Sequence, residues 1–455
     1  MSLGAFRLKK AVLVAIALLV VSASLVSCGY SNHSYVYKPP SGLLYRVLAS
    51  QGVNAVNDFG RLVMINGQYD VLPRVAPISA GTSPGLMAIS PSRSVLMSFD
   101  SVTNSVYGVD TVHENVLGQH IALQGPTFSM AVPTSQQIGY AAVPSASVNG
   151  FEFMGAVDVV NLAAPGALTT TIAVTNAQTV IANSTGSQLL VFSNGSDSVT
   201  LLTPSNAAPP VDTSCLTNPP NSVCTIVPGF DRPVYAVISG STAYVLNCGA
   251  ECGGVQASVQ TLDLNSLAVG VPVPVNGATV GLIIGSQLYV AGKGTPTGPL
   301  CSSITNAATT AATYCGTLDI VDLTTMTDPY FNNPATEIAI PDGFHHRIDV
   351  SENGQLFVGS HTCTNVGNAN NPTGEVRGCL AIYNTTNGSV IFPPDNGDVN
   401  GLQSFSQREV EYVAEGGNLR VYDTTKDILL INDYVPNGTI DIVGYVGDVK
   451  AIDFF

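Results

Sequence analysis

Beyond about residue 40 the chain is built from short apolar runs cut by clusters of Gly, Asn, Pro and Ser, with no sustained helical period. One stretch shows the unit. Pro84 to Pro91, Val95 to Phe99 and Ser105 to Asp110 read as three strands, and a fourth falls near Gly118 to Leu123. The end of the third strand recurs most clearly, because an apolar pair precedes Asn66, Asp110, Asn161, Thr203, Asp263, Asp322, Asn384 and Asp423. A short polar side chain at that point can hydrogen-bond the backbone of its own turn. These eight markers stand roughly 40 to 60 residues apart, the spacing of four-stranded blades around a ring. The expected fold is therefore all-β: a single β-propeller over residues 42–455, with eight four-stranded blades. Seven is the alternative if Asn66 or Thr203 is a false marker.

The two ends of the chain suggest how the ring closes. Ile440 to Tyr445 and Val449 to Phe454 are apolar runs left over after seven complete units, while the N-terminal unit lacks a clear first strand. A split eighth blade follows, with C-terminal inner strands completed by strands between Leu44 and Ile78. Closure of this kind removes exposed sheet edges.

Second strands repeat as Tyr244-Val245-Leu246-Asn247, Tyr289-Val290-Ala291-Gly292, Leu356-Phe357-Val358-Gly359 and Tyr412-Val413-Ala414-Glu415. The units resemble the YVTN-type repeats of bacterial surface-layer propellers, although no Tyr-Val-Thr-Asn stands intact. That resemblance spans nearly all of residues 42–455 and implies a surface or periplasmic propeller.

The N-terminus changes the picture from fold to address. Arg7, Lys9 and Lys10 precede an unbroken apolar run from Ala11 to Val21, followed by small residues. That order is a secretory signal, and the run is short of the roughly 20 residues of a spanning helix. Leu25-Val26-Ser27-Cys28 resembles a bacterial lipobox, which implies a signal peptide over 1–27, a lipid on Cys28 and a tether over 28–41. The resemblance implies several acyl chains, and more than one chain makes anchoring stable. Partner one is thus a membrane, either the cell membrane or the outer membrane, with the protein facing the periplasm or exterior.

Cysteine usage agrees with export. Of nine cysteines, eight remain beside Cys28, as sequence neighbours: Cys215 with Cys224, Cys248 with Cys252, Cys301 with Cys315 and Cys363 with Cys379. Four local disulfides suit an oxidising compartment. Zinc is the rival for Cys248 and Cys252, but no second cysteine pair lies close by.

Charge excludes some partners. The net charge is −15, and loss of three basic residues with the leader makes it more negative still. A nucleic-acid binder needs a basic stripe, and none exists. Anionic lipid headgroups are disfavoured on the same grounds. The chain has no tryptophan, which argues against the Trp-bearing repeats of quinone-dependent dehydrogenases and WD propellers. Six histidines are too few for a multinuclear copper site, and no cofactor is expected.

Three of those histidines share one unit. If Phe344 to Val350 and Gln355 to His361 form a hairpin with Val350 paired to Gln355, Phe344 lies opposite His361 and His346 shares its face. His345 then points the other way. His346 and His361 are the only candidates for a metal site or proton shuttle, and a polar pair satisfied by turn carbonyls is the simpler reading. Asp110, Asp263, Asp322 and Asp423 are accounted for by their turns.

The extra chain length falls repeatedly between second and third strands: Val143 to Met154, Cys248 to Gln256, Gly292 to Gly316 and Cys363 to Gly378. Only Cys215 with Cys224 falls in a third-to-fourth loop. Long loops at one face point to binding there. The function expected is a non-catalytic envelope binding module with a protein or glycan ligand on that face. Alternatives are a scaffold subunit, similar in architecture to the eight-bladed component of outer-membrane assembly machinery, and a metal-dependent periplasmic hydrolase or lyase.

Overall fold

The structure, a computed structural model, describes residues 38–453 apart from 54–59, 134–136, 149–153, 205–209, 218–222, 295–315, 334–335, 364–376 and 394–396. The chain divides into two compact units, Met1–Gly42 and Leu43–Phe455. In the described part of the first, the Gly42 N–H donates to the Pro39 carbonyl oxygen at 2.8 Å. Cys28, Cys301 and Cys315 lie outside the described residues.

Eight sheets make up the second unit, which is an eight-bladed β-propeller. Blade 1 runs from its inner strand Pro84–Ile89 through Val95–Asp100 and Ser105–Asp110 to the outer pieces Asn115–Val116 and Ile121–Ala122. Blades 2 to 7 begin at the inner strands Ser129–Ala131, Ala177–Ala182, Pro233–Ser239, Val280–Ile284, Phe344–Val350 and Val399–Phe405. In the closing blade, Tyr445–Ala451 is the inner strand, paired antiparallel to Arg46–Gly52, which pairs in turn to Arg61–Asn66. A bridge from Leu62 to Ile78 supplies its outer edge.

The closing blade is split as the apolar runs suggest, but the division differs in detail. Only one inner strand comes from the C-terminus. Thr439–Ile440 instead pairs with Asn418–Asp423 at the outer edge of blade 7, where Ile440 packs beside Leu419.

Seven of the eight sequence markers end third strands, and Thr203 directly follows the strand Ser198–Leu202. In those seven the side-chain oxygen accepts backbone N–H groups of the next turn: Asp110 from Val112 and His113, Asn384 from Thr386 and Asn387, and the others alike. Hydrogen bonds from Ser266 hold the Asp263 carboxyl below its ordinary range, and Thr324 does the same for Asp322. Thr203 is the exception, since its N–H and hydroxyl both bond the Val223 carbonyl across the sheet.

The core is a ring of eight apolar clusters, each at the seam between neighbouring blades. Side chains alternate across a strand, so a strand sandwiched between two seams is buried on both faces and favours apolar residues along its length. In Leu189–Ser193, Leu189 and Val191 join the seam with blade 2 while Leu190 and Phe192 join the seam with blade 4. That double burial explains the continuous apolar second strands.

Three of the expected disulfides are present: Cys215–Cys224, Cys248–Cys252 and Cys363–Cys379, with Cα atoms 5.2, 5.6 and 5.8 Å apart. The first belongs to a loop with a further role. Val211–Asp212 leaves blade 3 and pairs in parallel with the outer strand Ala167–Ala173 of blade 2.

Candidate functional site

Inner strands begin at the face that carries the second-to-third loops, and there they do something the sequence does not show. In six blades the inner strand carries a β-bulge within its first few residues, an extra residue unopposed by the second strand. The bulged positions are Gly85-Leu86, Gln178, Val234, His346, Asn400 and Gly447, and every one of them lines a single cavity. A bulge bends the strand and re-aims its side chains, and bulges concentrate near functional sites. The cavity has a volume of about 650 Å³, sits where the inner strands start, and receives residues from all eight blades.

Its walls are mixed. Phe128, Phe344 and Tyr445 are 69%, 45% and 42% exposed, unusually so for aromatic rings, and all three border the cavity. Tyr235, Leu86 and Val280 add apolar surface, and Gln178, Asn194 and Asn400 add amides. The Asn400 amide donates to the Tyr445 hydroxyl at 2.6 Å, fixing both across the seam between blade 7 and the closing blade.

Charge at the cavity runs against that of the chain. No Asp or Glu occurs among the described lining residues, whereas Arg232, Arg347, His346 and His361 do. Arg232 has Asp197 at 3.5 Å, yet its Nε is buried without a partner among the described residues. Arg347 forms no ion pair among the described residues. Its Nε donates to the Asn400 carbonyl at 2.6 Å and its Nη1 to the His346 carbonyl at 3.5 Å.

The histidine hairpin forms, with one correction. Near the turn Val350 pairs with Leu356, not Gln355. The bulge at His346 then shifts the register by one, so Phe344 does stand opposite His361. His346 is consequently stacked on His361, with ring centroids 3.9 Å apart, and the Phe344 ring stacks with His346 at 6.5 Å. The His346 Nδ1–H donates to the Phe344 carbonyl (3.3 Å), and its Nε2 is buried without a partner among the described residues. Burial first, then the neighbouring Arg347 and His361, push the His346 imidazole well below its ordinary pKa, so it is neutral at pH 7. His361 keeps one carboxylate close, with Nδ1 3.2 Å from Asp398 Oδ2.

His345 points away from this pair and is buried, donating to the Pro341 carbonyl oxygen at 2.9 Å; burial lowers its pKa to about 4. No group of three His, Cys, Asp or Glu side chains placed to hold a metal ion occurs among the described residues.

Comparison with known proteins identifies the class and goes no further. No family model and no curated protein matches the chain. Among solved structures it is similar to dihydro-heme d1 dehydrogenase NirN in complex with DHE, with a TM-score of 0.53 and 11% identity over 90% of this chain and 75% of that one. It is also similar to the computationally designed Ika8 protein, at TM-score 0.50 and 8% identity over 83% and 96% of the two chains. Periplasmic gluconolactonase from Pseudomonas aeruginosa aligns over 90% of this chain and 99% of its own at 13% identity, with a TM-score of 0.43. At such identities the first two likenesses concern the propeller fold alone.

Proposed function

We propose that the chain is a non-catalytic binding propeller of the bacterial cell envelope, held to a membrane by lipid on Cys28, which takes its ligand at the mouth of the central channel. One observation carries the site: six bulged inner strands turn their extra residues into one cavity. Its 650 Å³ falls within the range of about 300 to 1,000 Å³ typical of small-molecule sites. A single sugar or peptide terminus, or a small free molecule, has the matching size. The positive leader, the lipobox-like Leu25 to Cys28 and the disulfide-paired cysteines support the exported address.

The structure also offers a way to close the cavity. A Cβ on Gly85 would meet nothing within 4 Å, and its backbone angle is one that other residues adopt. Gly85→Trp should therefore place a bulky ring in the cavity and obstruct it, with room for its Cβ on the strand. Native mass spectrometry of protein isolated from its own cells should show a small-molecule adduct on the wild type that Gly85→Trp lacks at equal thermal stability. Adducts of equal occupancy on both proteins would refute the site.

A hydrolase or lyase is the second reading, carried by the His361–Asp398 contact beside the neutral His346. It requires turnover that His361→Asn abolishes, and metal analysis of the purified chain separates a metal-dependent version from the binding module.

A further inference from the structure

We infer that the ligand is a small organic carboxylate with a flat or ring-shaped body, and that Arg347 grips its carboxyl group. The inference rests on the cavity being the ligand site and adds the chemistry of what enters it.

The chain carries 31 acidic residues against 16 Lys and Arg, yet its cavity is bordered by cationic groups and by no described carboxylate. Arg347 is the decisive residue. Both of its acceptors are neutral backbone carbonyls, and Nη2 has no partner among the described residues. A guanidinium is charged at any relevant pH, and placing it half-buried without an anion leaves its field uncompensated. A carboxylate is the planar anion that matches it, with two parallel N–H···O bonds.

The surrounding geometry favours this arrangement. The His346 bulge places Arg347 after the re-aimed residue, and the Nε bond to Asn400 holds the fork in one orientation. Neutral His346 contributes an unpartnered Nε2 that accepts a hydrogen bond from a ligand hydroxyl or N–H. Exposed Phe128, Phe344 and Tyr445 offer flat faces for a ring. The Asp398 carboxylate is engaged with His361.

Sugar acids and aromatic acids share this chemistry, and matched probes distinguish them. Calorimetric titration of the purified full chain would compare D-glucuronate with D-glucose, and phenylacetate with phenylacetamide. In at least one pair the acid should bind tenfold or more tightly than its neutral counterpart. Arg347→Gln should remove that advantage, a loss of about 10- to 100-fold for a charged hydrogen-bonded contact, while the neutral probe's affinity and the melting temperature hold. Arg347→Lys should retain part of it.

Equal affinities within both pairs, an advantage that survives Arg347→Gln, or no binding by any of the four would overturn the inference. Gly85→Trp separates the two levels. Probe binding that survives this plug counts against the cavity itself. Binding that the plug abolishes but that ignores charge overturns only the carboxylate assignment.

Discussion

Truncation after Gly444 removes the inner strand of the closing blade and should unfold the propeller. The segment buries Val446, Val449 and Ile452, each at most 4% exposed. Burying an aliphatic side chain of this size contributes about 1.5 to 3 kcal/mol, so the three together contribute about 5 to 9 kcal/mol. Polar losses add to that. Asp453 accepts from Arg46 Nε and Nη2, the latter at 2.7 Å, and the Arg46 side chain is only 8% exposed. Stripping one partner from a buried ion pair costs about 3 to 5 kcal/mol, although Glu114, 2.9 Å from Nη1, softens it. Buried Asp448 also accepts the Met87 N–H of blade 1 at 2.9 Å, a bond that would be lost. The total matches the whole 5 to 15 kcal/mol by which a domain is stable. Cutting after Gly444 rather than before Ile440 matters, because Ile440 belongs to blade 7. Circular dichroism melts and gel filtration provide the assay, with Val449→Ala as a graded control that should fold but lose about 1.5 to 3 kcal/mol. A truncated chain that stays monomeric with an unchanged melt would refute this account of closure.

Other expectations follow from single groups. Burial, then the neighbouring Asp349, push the Glu411 carboxyl well above its ordinary value of 4.5, so the folded chain holds a proton that the unfolded chain releases. Stability is then complete below that value and falls as pH rises, by up to about 1.4 kcal/mol per unit until Glu411 ionises. Glu411→Gln should relieve this, and its melting advantage should grow from pH 5 to 8; a constant offset would argue against a protonated Glu411. Cys28→Ser should abolish fatty-acid labelling and leave an unprocessed precursor, whereas labelling that persists would remove the lipid attachment from Cys28. Peptide mapping without reductant should recover Cys215 with Cys224, Cys248 with Cys252, Cys363 with Cys379 and, by the same sequence logic, Cys301 with Cys315. Cross-pairing between these loops would contradict the local pattern.

The architecture was legible because its signals are local. An Asp or Asn that caps the turn after a third strand acts within three residues, so seven markers could be read one at a time, and their spacing counted the blades. Ring closure was legible in outline from unmatched apolar runs at the two ends. Ile440 was misassigned because an apolar residue at an outer edge and one in an inner strand look alike in sequence. The crossing of Val211–Asp212 to blade 2 left no trace, since two residues in a polar loop carry no periodicity.

The site was legible only in part. His346 and His361 were found by their type and by strand alternation, and they do stack. Arg347, Asn400, Gln178 and Tyr445, which line the same cavity, were missed. A bulge is a mismatch between two strands, so it exists in the pairing and not in either strand alone. In the histidine hairpin the assumed turn was one residue off, and the bulge cancelled the error at Phe344. Convergence of eight inner strands on one mouth requires the closed ring, and no single blade encodes it.

If the bulged mouth of the channel is the working surface, whatever it binds shields it from solvent. Carbene footprinting read by mass spectrometry, on protein as isolated from its own membranes and again after the bound molecule is stripped, reads that shielding. Labelling should rise on stripping at peptides holding Phe128, Phe344 and Tyr445, while the hairpin of Ser351 to Gly354 at the opposite end of the inner strands and the Cys215–Cys224 loop stay unchanged. A rise confined to that hairpin or that loop, with the three aromatic peptides unaltered, would place the binding surface on the other face and contradict the account.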